Sequence, residues 1–478
     1  MTAADLWSFA PELWLTALAV LLLVMDVFSG PGRKIGVAVV GLVGTLLTLI
    51  PIVTMLSWPP RVILYGALAV DGFAVFFKII VVIATALVIL ASIDYFRGGN
   101  RYEGEFYALL VFMAVGLNLM AAGADLIVLA LAIEFVSLMS YVLAGYLKNS
   151  PKSNEAGVKY FLFGAAASAV MFFGFSIFYG LTGSTNLYDI AGKLGRFPPA
   201  ALWLAVGMML AGFGFKISMV PFHQWTPDVY EGAPTPVAAY LSVASKAAGF
   251  AALVRVLIVV VNPQQLNWVL LIAILAALSM TLGNLLALPQ RNLKRMLAYS
   301  SISHAGFILI GVAAYHGSFG TPGLLIYLFG YTFTQLGAFF VATLLGQQLG
   351  SDDIPAFAGV ARRAPVPAFL MALFMLSLTG IPPTAVFFGK YYLLSAAIDN
   401  GLLWLAVVAT INTVISLYYY VGVIRAMYIM PPASETPLEE PAALQVALGL
   451  AGLGTIMIGV YPQPLIDLAK SAVLLLKL

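Results

Sequence analysis

The chain has 478 residues, of which 62% are hydrophobic and 9% charged, with a formal charge of +3. A soluble domain carries roughly 25% charged residues, so this composition leaves too little polar surface to face water and points to the bilayer as solvent. No cysteine is present, which excludes disulfides, thiolate metal ligands and cysteine-held iron–sulfur clusters in this chain.

Apolar runs of spanning length, ~20 residues, follow one another almost end to end. Lipid offers backbone N–H and C=O groups no partner, so long continuous runs select helices over a barrel. Helices are expected near 11–29, 35–56, 70–94, 105–122, 124–148, 157–183, 201–231, 236–261, 267–287, 294–316, 319–349, 364–398, 401–429 and 441–461, about fourteen in all. The first run follows Asp5 and Glu12 rather than a basic stretch and lacks a small-residue cleavage site, so it reads as a retained helix and not a signal peptide. The 124–148 run begins one tight turn after Gly123. The tail from Pro462 to Leu478 is too short to span and is expected at the membrane surface.

With the N-terminus outside, the inner loops hold Arg33, Lys34, Arg97, Arg101, Lys148, Lys152, Arg291, Lys294, Arg295, Arg362 and Arg363, against Arg61, Lys193 and Arg196 outside. This Lys/Arg bias places both termini on the outer face.

Two spans are unusual. The 201–231 run contains Gly212, Gly214 and Pro221 and turns polar at His223, Gln224 and Trp225; the 364–398 run contains Gly380, Pro382 and Pro383. An internal proline removes a backbone bond and clashes with the preceding turn, so each span should break there. Interrupted spans in corresponding places of two halves point to inverted repeats. The expected division is 1–104 for the first three helices, 105–261 and 262–429 for two inverted five-helix repeats with one broken helix each, and 430–478 for the last helix and tail.

A charge at the bilayer centre costs at least ~2.5–3.5 kcal/mol, so charges inside spans call for a reason. Glu134, Lys216, Lys246 and Lys390 lie too deep for snorkelling to explain them. His304 and His223 are further candidates, the latter beside the Pro221 break, while His316 falls at a helix end. Lys148, Lys152, Lys193 and Lys294 read as snorkelling residues, Lys78 as structural or snorkelling, and Lys159, two residues inside its expected helix, as either snorkelling or functional. Lysine, glutamate and histidine in low dielectric handle protons, and a Glu134–Lys216 pair is expected to hold Lys216 charged. Ser218, Ser242, Ser245, Thr332, Thr334, Gln335 and Asn412 are candidates to support a water chain between these sites. No P-loop, helix-opening GxGxxG or CxxCH haem signature occurs.

The stretch FGFKISMVPFHQWTPDVYEGAPTPVAAYLSVASKAAGFAALVR, with EFVSLMSYVLAGY, EAGVKYFLFGAAASA, NLKRMLAYSSISHAGF and LSLTGIPPTAVFFGKYY, resembles the antiporter-like subunits of respiratory complex I. Among them it is most similar to the subunit N family of bacterial NADH:quinone oxidoreductase. Subunit M carries an acidic residue where Lys390 stands, and subunit L bears a long C-terminal lateral helix. The resemblance implies fourteen helices, a mid-membrane proton path through Glu134, Lys216, Lys246 and Lys390, and positions on the same axis for His223 and His304. It implies no cofactor on this chain, with NADH, FMN, iron–sulfur clusters and quinone used elsewhere in the complex. Its partners would be the bilayer and other membrane subunits, neighbouring antiporter-like ones included, and not nucleic acid; its place would be the bacterial inner membrane. The alternative is a subunit of a multi-subunit cation/proton antiporter, and a third reading is a purely structural scaffold.

Overall fold

A computed structural model describes residues 3–30, 34–96, 103–261, 266–432 and 434–474. Of the loop residues named above, Arg33, Arg97 and Arg101 lie outside the described residues. In chain order the principal elements are α1 (Ala10–Phe28), α2 (Lys34–Leu47), β1 (Arg61–Ile63), β2 (Leu68–Val70), α3 (Gly72–Tyr95), α4 (Glu103–Ala122), α5 (Leu126–Ala144), α6 (Pro151–Thr182), α7 (Pro199–Ile217), α8 (Trp225–Gly232), α9 (Thr235–Tyr240), α10 (Lys246–Val260), α11 (Trp268–Ala287), α12 (Leu293–Ala313), α13 (Gly320–Leu349), α14 (Pro365–Thr379), α15 (Ala385–Asp399), α16 (Leu403–Tyr428), α17 (Ala442–Val460) and α18 (Gln463–Leu474). Among the described residues, 13 helical runs are long and apolar enough to cross a membrane. The protein is an all-α polytopic membrane protein, in which α3, α12 and α13 are enclosed while α1, α6 and α16 turn one face outward.

Local chemistry sets the helix starts. Asp71 caps α3 by accepting from the Ala74 N–H at 2.7 Å, Asp125 caps α5 through Ile127 at 2.8 Å, and Asn292 caps α12 through Arg295 at 3.1 Å. Each side chain satisfies a backbone donor that has no partner inside the helix. The same chemistry overturns one expected boundary. Ser150 caps α6, with Pro151 in the first helical position, so that helix starts at 151 rather than 157 and places Lys159 about two turns inside.

Both proline-bearing spans break. α7 ends at Ile217, Ser218 takes φ +61°, and the Val220–Pro221 bond is cis before α8 begins. α14 ends at Thr379, Gly380 takes φ +91°, and the Pro382–Pro383 bond is cis before α15 begins. Each first half closes with the same cap: Met219 N–H donates to Gly214 at 2.7 Å, and Ile381 N–H to Leu376 at 3.1 Å, a six-to-one bond that needs a left-handed residue between. A second arrangement also occurs twice. The start of α5 bridges to the segment after α6 through Asp125 and Asn186, and the start of α12 bridges to the segment after α13 through Asn292 and Asp353.

Three features add to what the sequence shows. The 236–261 span is not one regular helix, because Leu241–Ser245 forms a π-helical stretch directly before Lys246. The tail forms α18, whose apolar side buries Leu465, Ile466, Ala469 and Ala472 against α3 and α13. Arg255, unremarked in sequence, is fully buried and bonds both carboxylate oxygens of Asp71 at 2.8 and 3.0 Å. Lys78 pairs with the buried Glu12 at 2.7 Å.

Candidate functional site

The polar interior is built on α12. Ser300, Ser301, His304 and Phe307 recur at helical spacing and so share one face. Lys246, the first residue of α10, donates to the Ser301 hydroxyl at 2.8 Å and to the Ser301 carbonyl at 3.0 Å. One turn on, His304 bonds two phenols: Nδ1 with Tyr327 at 2.5 Å and Nε2 with Tyr420 at 2.9 Å. Ser300 bonds the same Tyr420 hydroxyl at 2.5 Å. A further turn on, the Lys390 ammonium lies 4.4 Å from the centre of the Phe307 ring, close enough for a cation–π contact.

Lys390 also donates to the Thr379 carbonyl at 2.8 Å. Thr379 is the last residue of α14, so the ammonium occupies the carbonyl end of that half-helix, where the dipole favours a cation. Lys216 lies in the last turn of α7 and meets the same field. The two lysines stand on opposite sides of their breaks, Lys216 before and Lys390 after. Interrupting a span thus yields a helix terminus within the bundle, near which a lysine is buried.

Lys216 is buried and donates to the Ser137 hydroxyl at 3.3 Å. The expected Glu134–Lys216 ion pair does not form. Ser137, one turn beyond Glu134 on α5, takes the contact instead, while Glu134 is half-buried and its Oε1 has no hydrogen-bond partner among the described residues. His223 lies within the α7–α8 break, half-buried, and its Nδ1 has no described partner; it is not joined to the α12 network. His316 is exposed at the end of α12.

Of the polar neighbours expected to support water, Ser242 and Thr332 return their hydroxyls to their own helices, Thr334 bonds Ser377 at 3.0 Å, and Asn412 accepts from Asn284 at 3.0 Å. Ser218, Tyr331 and both polar atoms of Gln335 are buried without a described partner. Tyr327, Tyr331 and Gln335 are spaced four residues apart on α13; Gln335 is among the candidates named above, whereas the two tyrosines beside His304 were missed. Their only sequence signal is a helical repeat of phenols, which also suits plain packing. Ser137, Ser301 and Tyr420 were missed for the same reason.

Nearer the loops the lysines behave differently. Lys159 bonds Asp228 at 2.6 Å and Lys152 bonds Glu231 at 3.0 Å, while Arg295 bonds both acids at 2.6 and 3.2 Å. This network ties α8 to α6 and α12. Lys152 is engaged rather than merely reaching for headgroups, and Lys159 is held by acids. Lys294 likewise pairs with Asp352 at 3.0 Å.

Residues 123–416 match the family model described as NADH:quinone oxidoreductase/Mrp antiporter, TM. NADH-quinone oxidoreductase subunit N of Dehalococcoides mccartyi is 41% identical over 480 residues, covering 97% of this chain and 98% of the relative. The chain belongs to the NADH-quinone oxidoreductase subunit N family. The subunit N of Heliobacterium modesticaldum is 44% identical, over 84% of this chain and 85% of its own. A chain of respiratory complex I from Thermus thermophilus, solved with bound aureothin, superposes with a TM-score of 0.81 at 34% identity, over 96% of this chain and 98% of that one. A chain of the Mrp complex from Dietzia has a TM-score of 0.87 at 20% identity, over 99% and 97%; at that identity the likeness is one of fold. The subunit N fold therefore extends to antiporter complexes, and the polar interior of this chain has to be judged on its own chemistry.

Proposed function

We propose that the chain is the proton-translocating membrane subunit of an NADH:quinone oxidoreductase, and that protons pass along Glu134, Ser137 and Lys216 and along Lys246, Ser301, His304 and Lys390. The chain divides in this scheme into two inverted five-helix units, 105–261 and 262–429, which the Lys246–Ser301 bond joins, and the recurring break and bridge geometry supports that division. The Lys/Arg-rich loops face inward at the bacterial inner membrane, with both termini outside. No redox centre is assigned to this chain, so the driving chemistry lies elsewhere in the complex.

One observation carries this reading. Lys216, Lys246 and Lys390 are buried, and each donates to hydroxyls or carbonyls without a carboxylate partner among the described residues. Lysines and arginines that serve structure here are paired, as Lys78 is with Glu12 and Arg255 with Asp71. A paired ammonium that loses its proton strands a buried carboxylate, which is costly. An unpaired one leaves nothing stranded, so it suits proton exchange. Buried polar atoms without partners, on Glu134, Ser218, Tyr331 and Gln335, offer hydrogen-bonding capacity to water between the stations. His223 borders the first break and serves as an entry-side group in this scheme.

The antiporter reading is favoured by the shared fold, but its cation would meet three ammonium groups on the same axis. Lys216→Ala and Lys390→Ala in the assembled complex, measured in vesicles, decide the matter. NADH-driven quinone reduction and acidification should both fall severalfold. Unchanged pumping in both variants overturns the proposal, and transport that requires sodium favours the antiporter.

A further inference from the structure

Away from the polar interior, a groove of about 610 Å³ opens on the outward side of α16, between that helix and the turn joining α11 to α12. Its wall is apolar. Val414, Leu417, Tyr418 and Val421 recur along one face of α16, with Val414 66% and Tyr418 74% exposed. A β-carbon built on Gly422 meets nothing within 4 Å, so the missing side chain widens the groove near its upper end.

That end carries charge. Arg425 lies in the last turn of α16, and Arg291 in the adjoining turn reaches the same groove. Only backbone atoms of these two arginines are engaged: the Arg291 carbonyl accepts from Ile354, and the Arg425 carbonyl accepts from Ile429 and Met430. Among the described residues neither guanidinium has a side-chain partner, and the nearby Asp352 carboxylate is taken by Lys294. Two uncommitted guanidiniums stand above an apolar channel, at the end of the bundle where the Lys/Arg-rich loops lie. Guanidinium matches phosphate oxygens in a bidentate geometry, and the apolar wall below suits an acyl chain.

We propose that this groove is a binding site for an anionic phospholipid, its phosphate held between Arg291 and Arg425 and one acyl chain laid along Val414 to Val421. Net negative charge selects the occupant, because a zwitterionic headgroup brings its own cation to the two arginines. Basic pockets between helices at the anionic leaflet recognise headgroups in this way.

The test uses the assembled complex in phosphatidylcholine vesicles with a trace of phosphatidylglycerol bearing a photoreactive acyl chain, and maps the labelled peptides. Label should concentrate on the peptide spanning 414–425, about tenfold above the same probe with a choline headgroup. The double variant Arg291→Gln, Arg425→Gln should bring it down to the choline level. Gly422→Leu, which leaves both guanidiniums in place, should lower labelling by narrowing the channel. Equal labelling by the two headgroups overturns the proposal, as does undiminished labelling in the double variant. Absence of label from both probes also overturns it, since a neighbouring subunit would then cover the groove.

Discussion

The Lys246 ammonium donates to both the hydroxyl and the carbonyl of Ser301, at 2.8 and 3.0 Å. Ser301 precedes His304 by one turn on α12, so the bond joins a lysine of the first half to the hydrogen-bonded network of the second. Ser301→Ala keeps the carbonyl contact and loses the hydroxyl. Coupled turnover in that variant should fall roughly tenfold, the scale of one hydrogen bond to a charged donor. Lys246→Ala should fall further. Rates of NADH-driven quinone reduction in membranes, at matched levels of assembled complex, check this; a Ser301→Ala variant worse than Lys246→Ala contradicts it.

Both ring nitrogens of His304 are bonded to phenols, Tyr327 and Tyr420. A neutral imidazole donates at one nitrogen and accepts at the other, whereas imidazolium donates at both. A change in His304 protonation therefore reorients a tyrosine hydroxyl. Tyr327→Phe and Tyr420→Phe should each slow proton pumping, and with His304→Gln their effects should be non-additive by about 0.5–3 kcal/mol. Strictly additive losses in the double-mutant cycles would show that the three residues act independently.

Gly380 takes φ +91°, and a β-carbon there meets Lys390 Cδ at 2.8 Å. Gly380→Ala should cost about 1–2 kcal/mol in backbone strain and displace the lysine from the α14 carbonyl end. Pumping should fall while the complex still assembles. Ser218→Gly is the counterpart. Ser218 has φ +61° and its hydroxyl has no described partner, so glycine relieves strain without losing a bond. Assembly should be unchanged or slightly improved in that variant, as read from complex yield, while vesicle acidification should slow because a hydroxyl offered to the water path is lost.

The Asp71–Arg255 pair is fully buried and bidentate. Removing one member leaves the other charged and alone, at a cost of about 3–5 kcal/mol. Arg255→Met should sharply lower the yield and heat resistance of the complex in detergent. Adding Asp71→Asn should recover part of the loss, because it removes the stranded charge. A single variant as stable as the parent would mean that the pair contributes nothing to the join between α3 and α10.

Much of this fold is legible in the sequence because lipid imposes a simple rule. Backbone groups must pair within the span, so each apolar run of sufficient length becomes a helix, and Pro221 and the Pro382–Pro383 pair mark the two places where one breaks. The placement of Glu134, Lys216, Lys246, His304 and Lys390 within apolar runs was legible too, since a deep charge stands out against such a background. The start of α6 was not, because Ser150 and Pro151 extend the helix through polar residues that carry no hydropathy signal.

The sequence by itself determined that the chain is a polytopic helical membrane protein with two broken spans and buried protonatable groups. Only the tertiary structure decided which of those groups meet. It put Ser137 rather than Glu134 against Lys216, joined Lys246 to Ser301 and His304 to two tyrosines, and left His223 apart. It also separated the unpaired lysines of the interior from Lys78, Lys152 and Lys159, which are held by acids. The physical reason is that burial follows from composition and is local to each run, whereas a hydrogen bond depends on how helices distant in sequence rotate and pack against one another.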